Sequence, residues 1–418
     1  TYAGEEVAVR KFNIRMPKFV TKSVNCSTKF ALQNSDEVRC TTAQNVAVGN
    51  GVAATNKAFV ATETTLAKVY AVCAFGGKTL YLAADGLYEQ GEDGLVKKVR
   101  VQADEQSMIC LDSQTNRLFV TTEDGTVRYN GDSDERTLMV SERMTSLVCY
   151  NGRVFGTSGK RLYFTDTAQS SFNEDDDGGY IEFASTVGCV CNFKNKLYVF
   201  ADGVYTLAPD LDEAYFVVTK VCESSPDVTF ATAVCDKLYC ATSDGMMVYD
   251  GGKFSKLLLS VGSLGTIQML SAQNGQLVVA DNKQTIFYNP TTATAEVYGF
   301  AAKSVAITAT EAVLCDGNGI ATLQTNADGG SWCGTLDFGY AATKCLRKAV
   351  IVGKGKSVIT VESNGRYVTV DFDGDGSAAT VPCYIVGRQF DVTAKLSAGA
   401  SVQSVGFVGV VFDEEVKL

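Results

Sequence analysis

The sequence predicts an all-β protein: a β-propeller of about seven blades, with an extended N-terminal β-arm and a C-terminal β-sandwich domain. The main observation is a short, mostly apolar triplet, closely followed by a turn such as Asp-Gly, which returns seven times at intervals of 36 to 43 residues. A β-repeat of roughly this period indicates propeller blades. Composition agrees, because 39 Gly against 5 Pro suits a chain of many hairpins. The copies begin at Leu80, Leu118, Val154, Leu197, Leu238, Leu277 and Val313.

The N-terminal leader, residues 1–47, does not repeat. Val7–Phe12 and Phe19–Val24 have a strand-like pattern with one solvated face. The leader is also locally basic, which has two interpretations: an edge strand protected by charge, or an arm that docks on an acidic neighbour. The partner-binding candidates are Arg10, Lys11, Arg15, Lys18 and Lys22.

Residues 48–327 carry the repeats, each of which predicts three hairpin-connected strands and a more variable fourth. Asn-Gly and Asp-Gly pairs suit the positive φ of tight hairpin turns, which explains the repeated Asp better than metal binding does. Ala58-Phe59-Val60 is expected to supply the outer strand of the last blade and so to close the ring. An eighth degenerate blade, and a six-bladed ring with a spare hairpin, remain as alternatives.

The repeat that begins at Val154 contains an insert, Thr165–Phe172, followed by the acidic run Asn173–Gly179. Carboxylate oxygens in such a loop could bind Ca²⁺. The run has no fixed spacing of ligands, so a solvated loop is the preferred interpretation.

Residues 328–418 predict the β-sandwich, because several strands there alternate between apolar and polar side chains. Within this unit the run from Asp371 to Gly376 resembles the opening of a Ca²⁺-binding loop. Such a loop requires a bidentate Glu at its twelfth position, and that position is Pro382. A β-hairpin tip is therefore preferred. Weak Ca²⁺ binding by Asp371, Asp373 and Asp375 is the alternative, and no cofactor is predicted.

The sequence offers no catalytic constellation. It has no His, which excludes a Ser-His-Asp triad, a Cys-His dyad and a His metal site on this chain. No phosphate-binding loop or dinucleotide fingerprint follows a predicted strand. Aromatic residues recur in the second strand of the blades, where equivalent core positions explain them better than carbohydrate stacking does. These are Tyr81, Phe119, Phe155, Tyr198 and Tyr239.

Charge and cysteine usage limit the partners. With 37 Lys and Arg against 47 Asp and Glu, the net charge is −10, which opposes sequence-independent binding to duplex DNA. Acidic walls would still let DNA pass without sticking. Many of the 14 Cys fall within strand patterns, so free thiols and synthesis in a reducing cytosol are expected. No membrane span and no signal peptide are predicted.

In combination, several segments resemble the propeller-bearing tail and neck proteins of tailed bacteriophages. The similarity covers roughly residues 50–418, and the leader is not distinctive. In that family the protein is a virion component, often arranged in a ring around the DNA exit path. The segments are Arg161-Leu162-Tyr163-Phe164-Thr165-Asp166, Gly179-Tyr180-Ile181-Glu182-Phe183, Leu336-Asp337-Phe338-Gly339, the Lys344–Val352 strand, Gly387-Arg388-Gln389-Phe390 and Ser404-Val405-Gly406-Phe407.

The resulting hypothesis is a non-enzymatic structural protein of the phage tail or neck, made in the host cytoplasm and located in the virion. Its expected partners are other virion proteins and copies of itself, with no specific nucleic-acid binding, no membrane and only passive contact with passing DNA. One alternative is a host-surface or carbohydrate-binding propeller, or a polysaccharide depolymerase acting through carboxylates. Another is a cellular propeller adaptor that binds peptides.

Overall fold

The computed structural model describes most of the chain from residue 39 onward and one short segment before it. The described residues are 9–14, 39–49, 52–55, 57–91, 94–112, 114–123, 125–131, 137–138, 143–209, 216–257, 259, 264–292, 294–336 and 343–412. Among them, no helix is long and apolar enough to cross a membrane.

Five strands precede the first repeat. They are β1 (Val9–Ile14), β2 (Arg39–Gln44), β3 (Val46–Gly49), β4 (Val52–Ala54) and β5 (Lys57–Thr62).

The repeats form antiparallel meanders of three or four strands. The first three are β6 (Val69–Phe75), β7 (Lys78–Ala83), β8 (Gly86–Gly91) and β9 (Gly94–Val99); β10 (Met108–Asp112), β11 (Arg117–Thr122), β12 (Gly125–Tyr129) and β13 (Thr137–Leu138); and β14 (Ser146–Tyr150), β15 (Arg153–Ser158), β16 (Arg161–Phe164) and β17 (Gly179–Glu182). A single 3₁₀ turn in the described chain, Glu174–Asp176, lies between β16 and β17.

Four further meanders follow. They are β18 (Cys189–Phe193), β19 (Lys196–Phe200), β20 (Val204–Pro209) and β21 (Phe216–Cys222); β22 (Val228–Val234), β23 (Lys237–Thr242), β24 (Gly245–Tyr249) and β25 (Phe254–Lys256); β26 (Ile267–Gln273), β27 (Gln276–Asp281), β28 (Thr285–Asn289) and β29 (Thr294–Tyr298); and β30 (Ser304–Ile307), β31 (Ala312–Cys315) and β32 (Ile320–Thr325).

The chain is all-β, with a β-propeller arrangement that includes six separate four-stranded sheets. The sheet of β30, β31 and β32 takes its fourth strand from the N-terminal side, because β5 pairs with β32 with Val60 opposite Thr322. The predicted role of the segment around Phe59 is thus confirmed. The strands β26 to β29 belong instead to a larger, 13-stranded sheet, since β29 also pairs with β3.

The repeated apolar triplet lies on the second strand of each meander. The first residue of every copy, from Leu80 to Val313, is 0% exposed. A second strand has neighbours on both edges and a packed sheet on both faces, so its triplet becomes the core. The aromatic residues of the triplets are also buried, as the sequence predicts: Tyr81, Phe119, Phe155, Tyr198 and Tyr239.

Five strands complete the C-terminal unit: β33 (Gly330–Leu336), β34 (Lys344–Ser363), β35 (Arg366–Gly387), β36 (Phe390–Leu396) and β37 (Ser401–Phe412). The strands β2 and β1 belong here, because β2 pairs with β33 and β1 with β37. Strands β3 and β4, which lie at the start of the predicted propeller, instead connect β29 to β37 of the C-terminal unit. The two units share one sheet and one hydrophobic core.

The long hairpin of β34 and β35 curls on itself. A straight strand of 20 residues would be roughly 65 Å long. Gly387, however, pairs with Lys344 at the start of β34 while lying against Ser363 at its end, where the serine Oγ leaves no room for a Cβ on residue 387. Bulges near Lys348 and Lys354 accompany the bend. The sequence predicts several shorter strands here, and the two long ones replace them.

Candidate interaction surfaces

The Asp-Gly turns of the meanders form cross-strand contacts on their own sheets. In the first meander the Asp85 carboxylate accepts a hydrogen bond from the Tyr88 hydroxyl at 2.9 Å and forms an ion pair with Lys97. The Lys97 ammonium lies 5.2 Å from the centre of the Tyr88 ring. The hydrogen bond from Lys97 is the main cause of a lowered pKa at Asp85.

The same contact recurs three meanders later. Asp202 accepts from the Tyr205 hydroxyl at 3.0 Å and pairs with Lys220 at 3.0 Å. Lys220 again lies over the tyrosine ring, 5.4 Å from its centre, and it lowers the pKa of Asp202. These carboxylates are thus committed to neighbouring strands. In the described residues, no group of three or more Cys, Asp or Glu is arranged to hold a metal ion.

The glycines of these turns have two different functions. Gly125 and Gly245 have φ of 124° and 104°, which an L side chain rarely adopts. Gly86 and Gly203 lack that φ, but a Cβ there would come 2.6 Å from a carbonyl oxygen of the fourth strand, on Val99 or Cys222. The sequence predicts the first reason for all of them, and only the packing provides the second.

A cluster of charged residues joins the loops that lead into the first strands of adjacent meanders. Arg143 donates to both carboxylate oxygens of Asp104, at 3.0 and 2.7 Å, and to Gln106 at 3.1 Å. The Arg143 hydrogen bond is the main cause that lowers the pKa of Asp104 to about 2. Nearby, Lys68 pairs with Glu105 at 2.7 Å. The loops of three successive meanders are therefore tied together by ion pairs.

An open depression of about 440 Å³ lies at this cluster. It is lined by Asp104, Glu105, Gln106, Glu123 and Arg143. Three carboxylates against one guanidinium give the lining a negative balance, and Asp104 and Glu105 are already ion-paired. With Lys68 counted as well, three carboxylates face two cations, so the arrangement fixes adjacent loops and keeps a single excess negative charge.

The insert after β16 is fixed to the preceding meander. Gln169, which is fully buried with φ of 56°, donates to Asp112 at 2.6 Å and accepts from Arg117 at 3.0 Å. Arg117 and Arg128 also donate to the Ala168 carbonyl. This attachment has no signal in the sequence, since it depends on contacts between residues 40 to 57 positions apart.

Arg153 holds the other end of the insert. It donates to the Thr165 carbonyl at 2.6 Å and to the Asp177 carboxylate at 2.9 Å, with the ring centres of Phe164 and Phe216 within 5.9 Å. The 3₁₀ turn that follows Asn173 is exposed to solvent. The acidic run is therefore a solvated turn on a fixed base, as the preferred interpretation has it.

The structure places the Ca²⁺-loop candidates Asp371, Asp373 and Asp375 on the exposed face in the middle of β35, not at a hairpin tip. Alternate residues of a strand are about 6.6 Å apart along it. Calcium needs six to eight oxygens at about 2.3 to 2.6 Å, so a straight row of carboxylates does not converge on one ion. The hairpin-tip prediction is wrong here, because Asp371, Asp373 and Asp375 pair with β34, and the register shifts only after Asp375.

Of the basic leader candidates, Arg10 and Lys11 lie on β1, paired with Val411 and Val410 of the same chain. This part of the leader therefore pairs within its own chain, as an edge strand does. The remaining candidates, Arg15, Lys18 and Lys22, lie outside the described residues.

The exposed face of the C-terminal sheet carries an aromatic residue beside two carboxylates. Tyr367 is 72% exposed and pairs with Glu362, which pairs on its other side with Asp391. Directly paired residues project from the same face of a sheet. Asp391 accepts a hydrogen bond from Thr335 at 2.7 Å. A flat row of this kind offers a ring for stacking and oxygens for accepting hydrogen bonds.

The cysteine side chains of the described residues lie mostly within strands, where they pack as small apolar groups. Twelve cysteines of the described chain form no disulfide, and several are buried within strands. Burial raises the pKa of Cys191 to about 12, which opposes the thiolate form needed for reaction or metal binding. Cys110 and Cys149, on the first strands of adjacent meanders, have sulfur atoms 3.9 Å apart.

No family model and no curated protein matches the chain. Solved structures resemble it in fold. PorZ, an essential surface component of the type-IX secretion system of Porphyromonas gingivalis, has 14% identity and a TM-score of 0.40, over 75% of this chain and 46% of PorZ. The extracellular domain of a putative hybrid two component system of B. thetaiotaomicron has 11% identity and a TM-score of 0.47, over 82% and 61%.

A computationally designed protein, Ika8, matches 64% of the chain over 98% of its own length, with 14% identity and a TM-score of 0.41. The chain spans about half the length of PorZ. The class of protein, an all-β chain with a propeller, is defined by the meanders of this chain itself.

Proposed function

We propose that the chain is a non-enzymatic structural protein of a bacteriophage virion, located in the tail or neck. It would act there as a rigid scaffold that contacts other virion proteins and copies of itself around the DNA exit path. The observation that carries the proposal is the continuous β-pairing from β29 through β3 and β4 to β37, which joins propeller and C-terminal unit over a shared core. A joint of this kind resists bending, as a scaffold requires.

The proposal includes a finer architecture of seven blades and a two-layered C-terminal sandwich. The first strands of the meanders contact one another in a closed order: β6, β10, β14, β18, β22, β26, β30 and again β6. This order supports counting β26 to β29 as a blade, although β29 continues into another sheet. The curl of β34 and β35 supports two facing layers, because residues from both ends of β34, such as Leu346 and Val361, enter one core.

Surface chemistry supports a scaffold that tolerates passing DNA. The net charge is −10, although two of the three carboxylates that line the depression, Asp104 and Glu105, are paired with Arg143 and Lys68. Like charges repel phosphates, so a ring of such subunits would guide DNA without retaining it.

Purified particles of the phage that encodes the chain test the proposal. Mass spectrometry should find the chain in the virion at a fixed stoichiometry, and cryo-electron microscopy should place it in the tail or neck. Absence of the chain from complete particles would refute the structural role. A map with six blades, or without a two-layered C-terminal unit, would refute the finer architecture alone.

A second candidate function, carbohydrate binding, is favoured by the exposed row of Tyr367, Glu362 and Asp391. Aromatic stacking with neighbouring hydrogen-bond acceptors suits a sugar ring, whereas an exposed carboxylate lacks the burial that tunes a catalytic acid. Binding rather than cleavage is therefore the expected form. A glycan array with the wild-type chain and Tyr367→Ala tests it: signals that are absent, or equal for both proteins, would remove this candidate.

A further inference from the structure

We propose that the exposed edge of β35 accepts the basic leader segment of a second copy of this chain, residues 17–24, as an added strand. The inference rests on the proposed assembly role and names the partner and the surface. Strand β35 is 22 residues long, and in the described part of the chain it pairs only with β34. An unpaired edge of this length offers backbone donors and acceptors to an incoming strand.

The side chains of β35 define which strand can be added. Asp371, Asp373 and Asp375 project from one exposed face, so two β35 edges brought together would concentrate like charge. Lys356 and Lys354 stand opposite Asp373 and Asp375 on β34, whereas Val358 stands opposite Asp371. The two lysines offset part of the charge on the side of β34, and the remaining negative charge, greatest at Asp371, disfavours a second β35 and favours a basic strand.

The leader has the matching spacing. Lys18 and Lys22 are four residues apart, as are Asp371 and Asp375. In extended chains, residues four apart project from the same face about 13 Å from each other. Added as a strand, the segment would place its two ammonium groups beside these two carboxylates, with Val20 beside Asp373.

The reach of the leader indicates that the acceptor belongs to another copy. Ile14 pairs with Phe407, which pairs with Ala349, which pairs with Val381 of β35. Three strand spacings are about 14 Å, and the four residues from Ile14 to Lys18 extend at most about 14 Å. Asp375 lies roughly 20 Å further along β35 from Val381. Four residues are therefore too few to bring Lys18 to Asp375 of its own chain, so the pairing requires an acceptor on another copy.

Charge reversal tests the pairing in solution. The variants are Lys18→Asp with Lys22→Asp on the donor, Asp371→Lys with Asp375→Lys on the acceptor, and all four changes together. Sedimentation velocity at about 0.05 M and about 0.5 M salt should show wild-type self-association that salt weakens. Each two-site variant should weaken association about tenfold or more, and the four-site variant should restore it.

Matched controls separate local pairing from net charge. Asp175→Lys with Asp176→Lys changes two exposed acidic residues of the 3₁₀ turn, and Lys160→Asp with Lys253→Asp changes two exposed lysines. Both should associate like the wild type. Circular dichroism and melting curves confirm that each variant is folded.

Carbodiimide cross-linking of a mixture of ¹⁵N-labelled and unlabelled chains identifies the acceptor. Links from Lys18 or Lys22 to Asp371 or Asp375 should join labelled to unlabelled peptides. A wild-type chain that stays monomeric, links within one chain only, or no rescue in the four-site variant would overturn the inference. The virion test remains separate: the chain can be present in particles without arm exchange, and arm exchange can occur in solution if the chain is absent from them.

Discussion

The attachment of the insert to the preceding meander allows one sharp test, the substitution Gln169→Ala. The side chain is fully buried and donates to Asp112, which is 4% exposed, at 2.6 Å. The variant leaves one carboxylate oxygen of Asp112 with only the Thr115 hydroxyl, at 2.7 Å. The variant also removes the Gln169 oxygen that accepts from Arg117 at 3.0 Å, but Arg117 retains the Ala168 carbonyl at 2.8 Å, so the largest uncompensated loss is the bond to the buried Asp112.

Such a bond contributes about 1.5 to 3 kcal/mol, and the small cavity adds about 1 kcal/mol. We expect the free energy of unfolding to fall by about 3 kcal/mol, measured by urea denaturation at neutral pH with far-UV circular dichroism. The control is Gln324→Ala, an exposed glutamine that hydrogen-bonds only Thr322 in its own strand. It should change stability by less than about 0.5 kcal/mol.

Limited proteolysis provides an independent, local readout. The endoproteinase that cleaves after Glu should attack Glu174, which lies in the exposed 3₁₀ turn, when the insert opens. A fall of 2 kcal/mol in the opening free energy corresponds to about 30-fold faster cleavage. If Gln169→Ala matches the control in both stability and cleavage, the buried Gln169 to Asp112 contact does not hold the insert, and the reasoning fails.

Three further predictions follow from the same contacts. Gly203→Ala should lower the free energy of unfolding by about 1 to 3 kcal/mol, because the new Cβ would meet the Cys222 carbonyl at 2.6 Å. The control Gly319→Ala has open space around the new Cβ and should leave stability unchanged or raise it. Equal effects of the two substitutions in urea denaturation would contradict the packing argument. The pKa of Asp104 is lowered from 3.8, the value of a free aspartate side chain, to about 2 in the folded chain, so its pairing stabilises the fold above pH about 4, and this stabilisation is lost as the pH falls toward 2. Arg143→Met should therefore lower stability at pH 7 by less than about 1 kcal/mol, since Asp104 is 41% exposed, and the difference from wild type should vanish near pH 2; a constant difference in acid titration would reject the assignment. Trp332, buried in the core shared by both units, should report by fluorescence the same urea transition as circular dichroism; two separated transitions would show that the shared sheet does not couple the units.

Much of the propeller could be predicted from local sequence. Each triplet, such as the one that begins at Leu197, is an apolar run closely followed by a turn such as Asp-Gly. These neighbouring residues are enough to predict a buried second strand and the hairpin after it. The segment around Phe59 could also be assigned to β32, since a closed ring needs an outer strand from the other end of the repeats.

The C-terminal unit was less accessible, because its form depends on pairing between distant segments. The run from Asp371 to Gly376 is rich in turn formers, but it stays extended because Lys356, Gly355 and Lys354 pair with it across the hairpin. The leader's β1 and the strands β3 and β4 likewise take partners in β37 and β29, hundreds of residues away. Local pattern gives such segments a strand preference without a partner.

The sequence by itself determined the class of fold, the buried positions of the repeats and the exclusion of histidine chemistry, because these depend on period and composition. Tertiary structure alone decided which carboxylates form hydrogen bonds or ion pairs with other parts of the chain and which are exposed to solvent. Asp85, Asp104 and Asp112 find partners on other strands or loops, whereas Asp371 lies on the outer face of β35. The physical reason is that a charge is neutralised by groups that folding brings near it. The separation of two residues along the sequence does not give the distance between them in the folded chain.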